Sequence, residues 1–141
     1  VSDPAAAFHT AQDGALRGSN DLGLLWPDGR ARIYSTVPQN APLPFIRIGD
    51  DQVLEDSTDC ASGSEVFASV HVWTRPDPPS LLLGREIAGV IRDVLTDEGF
   101  TVPGWDMVLA LFVDTRHLTD PEGSSHAVLT FHYALTDLAD A

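Results

Sequence analysis

Between residues 65 and 75 the chain reads EVFASVHVWTR, and its side chains alternate in character. Val66, Ala68, Val70, Val72 and Thr74 fall on one side of an extended backbone, and Phe67, Ser69, His71, Trp73 and Arg75 on the other, because successive Cβ atoms of a strand point to opposite faces. The small, β-branched side suits packing under a helix. The aromatic, partly polar side suits a half-exposed or interface position. Pro76-Asp77-Pro78-Pro79 ends this strand and leads into the segment with the clearest helical period. In residues 80–96, Leu83, Ile87, Val90, Ile91, Val94 and Leu95 recur on one helical face, with Arg85, Glu86, Arg92 and Asp93 elsewhere. Gly84 and Gly89 inside that helix cost about 1 kcal/mol each relative to Ala, which points to a close approach by the sheet or a neighbouring subunit. Gly99 ends it.

The same reading extends over the rest of the chain. Residues 3–17 form a first helix, with Asp3 as cap, Pro4 in the first helical position, Gly18 as stop and a thin stripe of Phe8, Ala11, Ala15 and Leu16. Leu22, Leu24, Leu25 and Trp26 make a short apolar patch closed by the turn Pro27-Asp28-Gly29. Residues 31–35 and 45–49 are short strands, separated by a proline-rich stretch that cannot pair in a sheet interior. Residues 50–64 are acidic and poor in apolar side chains, so they form a loop or a long hairpin tip. Two long strands follow, 105–118 and 125–136, joined by a turn at 119–123. Ala127, Leu129, Phe131, Tyr133 and Leu135 line one face of the last strand, with Val128, Thr130 and His132 opposite. The final five residues are a short acidic tail.

The order is α-β-β-β-α-β-β, two hairpin-like pairs flanking a crossover helix. The simplest layered solution is an α+β fold: a single, mostly antiparallel sheet of about five strands with two main helices on one face. At 141 residues the chain is read as one domain, residues 1–141. No apolar run reaches the ~18 residues of a membrane span, and no membrane partner is expected. Val1 reads as the residue left by initiator removal, since the start lacks the pattern of an export signal.

Charge adds one constraint. Eight basic residues, every one Arg, face 21 acidic ones, for a formal net charge of −13. Such a chain is repelled by nucleic acid and by anionic membranes. Cys60 is the one cysteine, so no internal disulfide forms and a reducing compartment is the simple reading.

The candidate chemistry is thin. His126 and His132 share a strand face but sit about 20 Å apart along it, too far to hold one ion, although His71 can approach one of them across the sheet. Ser124-Ser125-His126 lacks a nucleophile elbow. Asp50, Asp51, Glu55, Asp56 and Asp59 do not match a calcium loop, and Cys60 lies among acids that disfavour its thiolate. Phosphate-loop and dinucleotide motifs are absent. The expectation is a non-enzyme with no cofactor and no metal.

Several segments in order do resemble a known family. They are the N-terminal helix, IYSTVPQNAPLPFIRIGDD (33–51), SEVFASVHVWTRP (64–76), LGREIAGVIRDVL (83–95) and TRHLTDPEGSSHAVLTFHYAL (115–135). Together they resemble the tail completion, or tail terminator, proteins of long-tailed phages and phage-derived gene transfer agents. The resemblance implies a hexameric ring that caps the tail tube, stops its polymerisation and joins tail to head. The implied partners are copies of the chain, the tail tube protein and a head–tail connector or adaptor. DNA would pass through an acidic lumen without specific binding, in a particle assembled in the bacterial cytoplasm.

A closed ring needs two different patches per subunit. Candidate contact residues are Leu81 and Leu82 with Gly84, Arg85 and Gly89, and the aromatics Trp26, Phe67 and Trp73. The acids Asp51, Glu55 and Asp56 stand in a loop that would reach axially to the tube, and Asp120 lies in the last turn. For each of them ordinary packing or solvation is the competing explanation. The alternative function is a small acidic, non-enzymatic ligand-binding or accessory domain that uses the aromatic sheet face as its pocket.

Overall fold

A computed structural model of the protein describes residues 3–75, 80–96 and 100–140. Five strands form one sheet: β1 (Ile33–Tyr34), β2 (Phe45–Glu55), β3 (Gly63–Thr74), β4 (Trp105–Thr119) and β5 (Ser125–Asp137). Their spatial order is β1-β2-β3-β5-β4. Helices α1 (Ala5–Arg17), α2 (Asn20–Gly23) and α3 (Ser80–Leu95) lie on one face, and a 3₁₀ turn, Leu138–Asp140, follows β5. The expected element order and the α+β layering are found. The sheet is mixed, however, because β1 runs parallel to β2 through Ile33↔Ile46 and Tyr34↔Arg47. The proline-rich segment between them is thus a crossover and not a hairpin turn.

The alternation around residue 70 is realised as expected. On β3, Val66, Ala68, Val70 and Val72 are buried and Thr74 with them, while Phe67, His71 and Trp73 are half-buried on the opposite face. β5 alternates in the same way, burying Ala127, Leu129, Phe131, Tyr133 and Leu135. Ile87, Ile91, Val94 and Leu95 of α3 cover these residues, as does Phe8 of α1, whose ring centroid is 5.1 Å from that of Tyr133. The Tyr133 hydroxyl donates to the Leu95 carbonyl at 3.0 Å. That bond ties the end of α3 to the sheet and satisfies a phenol buried in the core.

Four boundaries differ from the sequence reading, each for a local reason. α1 begins at Ala5, with Pro4 as cap residue and the Asp3 carboxylate accepting from the Ala5 N–H at 2.9 Å. The patch after Gly18 contains α2, capped by Ser19 Oγ on the Leu22 N–H at 3.2 Å. β2 continues six residues beyond Gly49, because a bulge with Asp50 at φ 63 lets Gln52 through Glu55 pair with β3. Only residues 56–62 remain as a loop, so the hairpin-tip alternative for 50–64 is the one realised. β1 shrinks to two residues. The proline cluster at 76–79 and Gly99 lie outside the described residues.

Glycines are informative at two positions. Gly84 is buried, and a Cβ there would lie 3.4 Å from Thr74 Oγ1 and Ser125 Oγ. This is the close helix–sheet approach that its sequence context suggested. Gly89 is exposed with nothing within 4 Å, so no approach within the chain accounts for it.

Candidate functional site

Every helix packs on one side of the sheet, which leaves the other side without a covering layer among the described residues. Its side chains follow from register. Phe45↔Trp73 and Trp73↔His126 are cross-strand partners, as are Arg47↔His71 and Phe67↔His132. These pairings bring rings together across β2, β3 and β5, and Tyr34 of β1 meets Phe45 edge-on. Tyr34 and Phe45 lie 6.0 Å apart, Phe45 and Trp73 5.3 Å, and Trp73 and His126 4.1 Å at an interplanar angle of 12°. A second stack, Phe67 on His132, has centroids at 4.4 Å and rings 3° from parallel.

The histidines and charged groups of this face pair with one another. His71 Nδ1 lies 3.0 Å from His126 Nε2, so one ring donates an N–H to the lone pair of the other and at least one ring is neutral. Burial holds the His71 pKa below its ordinary value, and neighbouring His126 and Arg47 push it the same way while Asp50 opposes them. Burial also lowers His126, against Asp120. Asp50 is engaged by Arg47 at 3.2 Å, which holds its carboxyl below the ordinary range. His132 Nε2 pairs with Glu65 Oε1 at 3.0 Å. His71 thus meets His126, as the strand geometry allowed, while His132 is bound elsewhere. No group of three or more His, Cys, Asp or Glu side chains able to hold a metal ion occurs among the described residues.

The candidate residues separate into several places. Phe67 and Trp73 share the uncovered face. Trp26 belongs to the core at 5% exposure, and its Nε1 donates to the Pro44 carbonyl at 3.0 Å, so in the folded chain it offers almost no surface to a partner. Leu82, Arg85 and Gly89 are exposed on α3, in the helical layer, and Gly84 is buried beneath them. Leu81 has its side chain outside the described residues. Glu55 and Asp56 are exposed at the distal end of the β2–β3 hairpin, whereas Asp51 is exposed at the bulge midway along β2. Asp120 is half-buried, with Oδ1 accepting from the Glu122 and Ser124 N–H groups; this shapes the turn before β5.

Two features were not singled out from the sequence. β4 is an edge strand of 15 residues with apolar side chains on both faces and several of them exposed, among them Val108 (61%), Leu111 (48%) and Val113 (50%). Register shifts at Met107/Leu109 and Phe112/Asp114 turn Val108 and Val113 out of the alternation. The signal was present: residues 107–113 (MVLALFV) are apolar without alternation, a pattern of strands covered on both sides. At the opposite edge, Arg17, Arg30 and Arg32 gather around an open groove beside β1.

The fold is a small two-layer α+β unit with an aromatic sheet face uncovered among the described residues and an apolar strand at its edge. The chain belongs to the tail completion protein gp17 family, which matches residues 14–136, and it is a structural tail protein. Among solved structures, a chain of the virion of native gene transfer agent (GTA) particle has the same fold. It superposes with a TM-score of 0.80 at 19% identity, over 96% of this chain and 99% of that one. No curated protein sequence matches the chain.

Proposed function

We propose that the protein forms a ring at the head-proximal end of a phage-like tail, where it ends polymerisation of the tail tube and joins the tail to the head. The observation that carries this reading is the uncovered, ring-stacked sheet face bordered by an apolar edge strand, in a member of the tail completion family. Exposed apolar surface of this extent is a cost to a free subunit and a gain to an assembled one. The partners are copies of the chain, the tube protein and a head–tail connector or adaptor. The charge of −13 per copy gives a lumen through which DNA passes without sticking. The protein's chemistry on this reading is contact and not catalysis, and its place is the head–tail junction of the particle.

The β2–β3 hairpin deepens the proposal. Its distal loop, residues 56–62, carries Asp56 and Asp59 beyond the sheet and is the element proposed to reach the tube. Replacing residues 57–61 with a two-residue turn keeps both strands whole. Rings should then persist while electron micrographs of particles show tails of uncontrolled length; tails of normal length would refute the contact. Particles lacking the protein altogether should have overlong or headless tails, and normal headed particles refute the function. A ligand-binding accessory domain, by contrast, would run in light scattering as a monomer near 15.2 kDa or as a dimer, and never as a ring.

A further inference from the structure

The two edges of the sheet carry opposite chemistry. At the β1 edge, an open groove of about 570 Å³ is lined by Arg17, Arg30, Arg32, Leu24 and Tyr34 among others, with no acidic side chain in its wall. Three of the chain's eight basic residues meet there, in a protein with a large excess of acids. Two of them are fixed in place. Arg17 pairs with Asp13 at 2.9 Å and donates to the Ile33 carbonyl at 2.7 Å, and Arg32 pairs with Asp28 at 2.6 Å. Arg30 is exposed and makes no side-chain hydrogen bond or ion pair among the described residues. Leu24 beside it is 76% exposed.

At the β4 edge the signs reverse. Asp106 and Asp114 are exposed and without an ion pair or side-chain hydrogen bond among the described residues, and they stand among exposed Val108, Leu111 and Val113. Arg116 is the one cation of the strand. The outer backbone edge of β4 has no neighbouring strand. One edge therefore offers apolar side chains with unpaired carboxylates, and the other an apolar-floored groove with an unpaired guanidinium.

We infer that β4 of one copy docks along the β1 edge of the next, with its carboxylates facing the Arg30 groove. The contact is head-to-tail because the two surfaces are different and lie at opposite ends of the strand order, which is what a closing ring requires. The inference rests on the ring reading above and names the surfaces that make it. Complementary charge sets the register, and the valines and leucines of β4 supply the buried area.

The test uses two charge reversals in the full chain, Arg30→Glu and Asp114→Arg. Both positions are exposed, so circular dichroism and the melting temperature should match the parent. Each reversal sets like charges across every contact and should weaken assembly roughly tenfold or more, read by analytical ultracentrifugation. An equimolar mixture of the two variants should recover assembly, because each edge then meets its opposite around an alternating ring. Rings that form unchanged in both variants overturn the assigned surfaces and leave the ring intact. Loss in both variants without recovery on mixing overturns the pairing. Loss in Asp114→Arg alone indicates β4-to-β4 dimers and overturns it too. A parent protein that stays monomeric at roughly millimolar concentration overturns the ring and this contact together.

Discussion

Gln12 is the least satisfied residue in the core. It lies on α1 between Phe8 and Leu16, is fully buried, and neither its amide nitrogen nor its amide oxygen has a hydrogen-bond partner among the described residues. A buried donor or acceptor left unpaired costs about 1–3 kcal/mol, so the two ends of this amide together oppose folding by at least about 2 kcal/mol. Met has nearly the same length and helix propensity as Gln and no polar group to satisfy, so Gln12→Met should recover most of that cost. For 141 residues the unfolding entropy is about 0.3 kcal/mol per degree, which makes the expected gain about 7 °C in melting temperature. Urea unfolding followed by tryptophan fluorescence should show a higher midpoint with an unchanged slope. Gln12→Ala provides the control, since it removes the amide but leaves a cavity and should gain less. An unchanged or lowered midpoint for Gln12→Met would mean that the amide is paired in solution, and the reasoning would fail.

Other consequences can be checked on the isolated chain. A methyl group at Gly23 would stand 2.5 Å from the Gly29 carbonyl oxygen, whereas one at Gly89 meets nothing within 4 Å. Gly23→Ala should therefore cost about 1–3 kcal/mol by forcing the Pro27–Gly29 turn away, and Gly89→Ala should gain about 1 kcal/mol from helix propensity; thermal melts that shift in the same direction would contradict this. The His71–His126 pair gives stability a pH dependence of defined sign. Both rings have folded pKa values below the ordinary 6.5, so the unfolded chain binds protons first and stability falls as pH drops through 6.5 towards the folded values. Denaturant midpoints at about pH 7.5 and pH 5.5 should differ in the parent and differ less in His126→Gln; equal pH dependence in the two would exclude the pair as the cause.

Much of the fold was legible because its two main strands alternate without interruption. Apart from Asp137, the inward positions of β3 and β5 are apolar or small; the outward ones are mostly polar or aromatic, with Val128 and Ala134 as apolar exceptions, and the period of α3 leaves one face to meet them. Where the alternation is broken, the reading weakened. Asp50 in a left-handed conformation at the β2 bulge looks like the start of a loop, yet the pairing resumes at Gln52 with acidic residues at an exposed end of the strand. The parallel pairing of β1 rests on two residues, too few for any periodicity to reveal. Trp26 was ambiguous for another reason: a Trp that closes a short leucine patch just before a proline fits an interface anchor and a core plug equally well, and the Pro44 carbonyl that fixes its indole is 18 residues away.

The interaction surface was only half legible, and the missing half depends on topology. The aromatic side of β3 can be read from eleven residues, but whether a second layer covers it depends on where every helix goes. β4 poses the harder case. Apolar residues on both faces describe a strand buried from both sides, and in sequence nothing distinguishes that from a strand left at the edge. At the edge, a strand of 15 residues with one backbone side unpaired among the described residues and with exposed Val108, Leu111 and Val113 forms the kind of surface that recruits other chains indiscriminately. Edges of soluble proteins are usually short, covered or heavily charged. This one is long and carries three charges within the strand, Asp106, Asp114 and Arg116. A chain that keeps such an edge needs a specific partner for it, and the proposed ring would provide one at every subunit. In the proposed ring the acidic residues would have a second role: at −13 per copy they would oppose non-specific association and leave favoured the docking that matches carboxylates to the Arg30 groove.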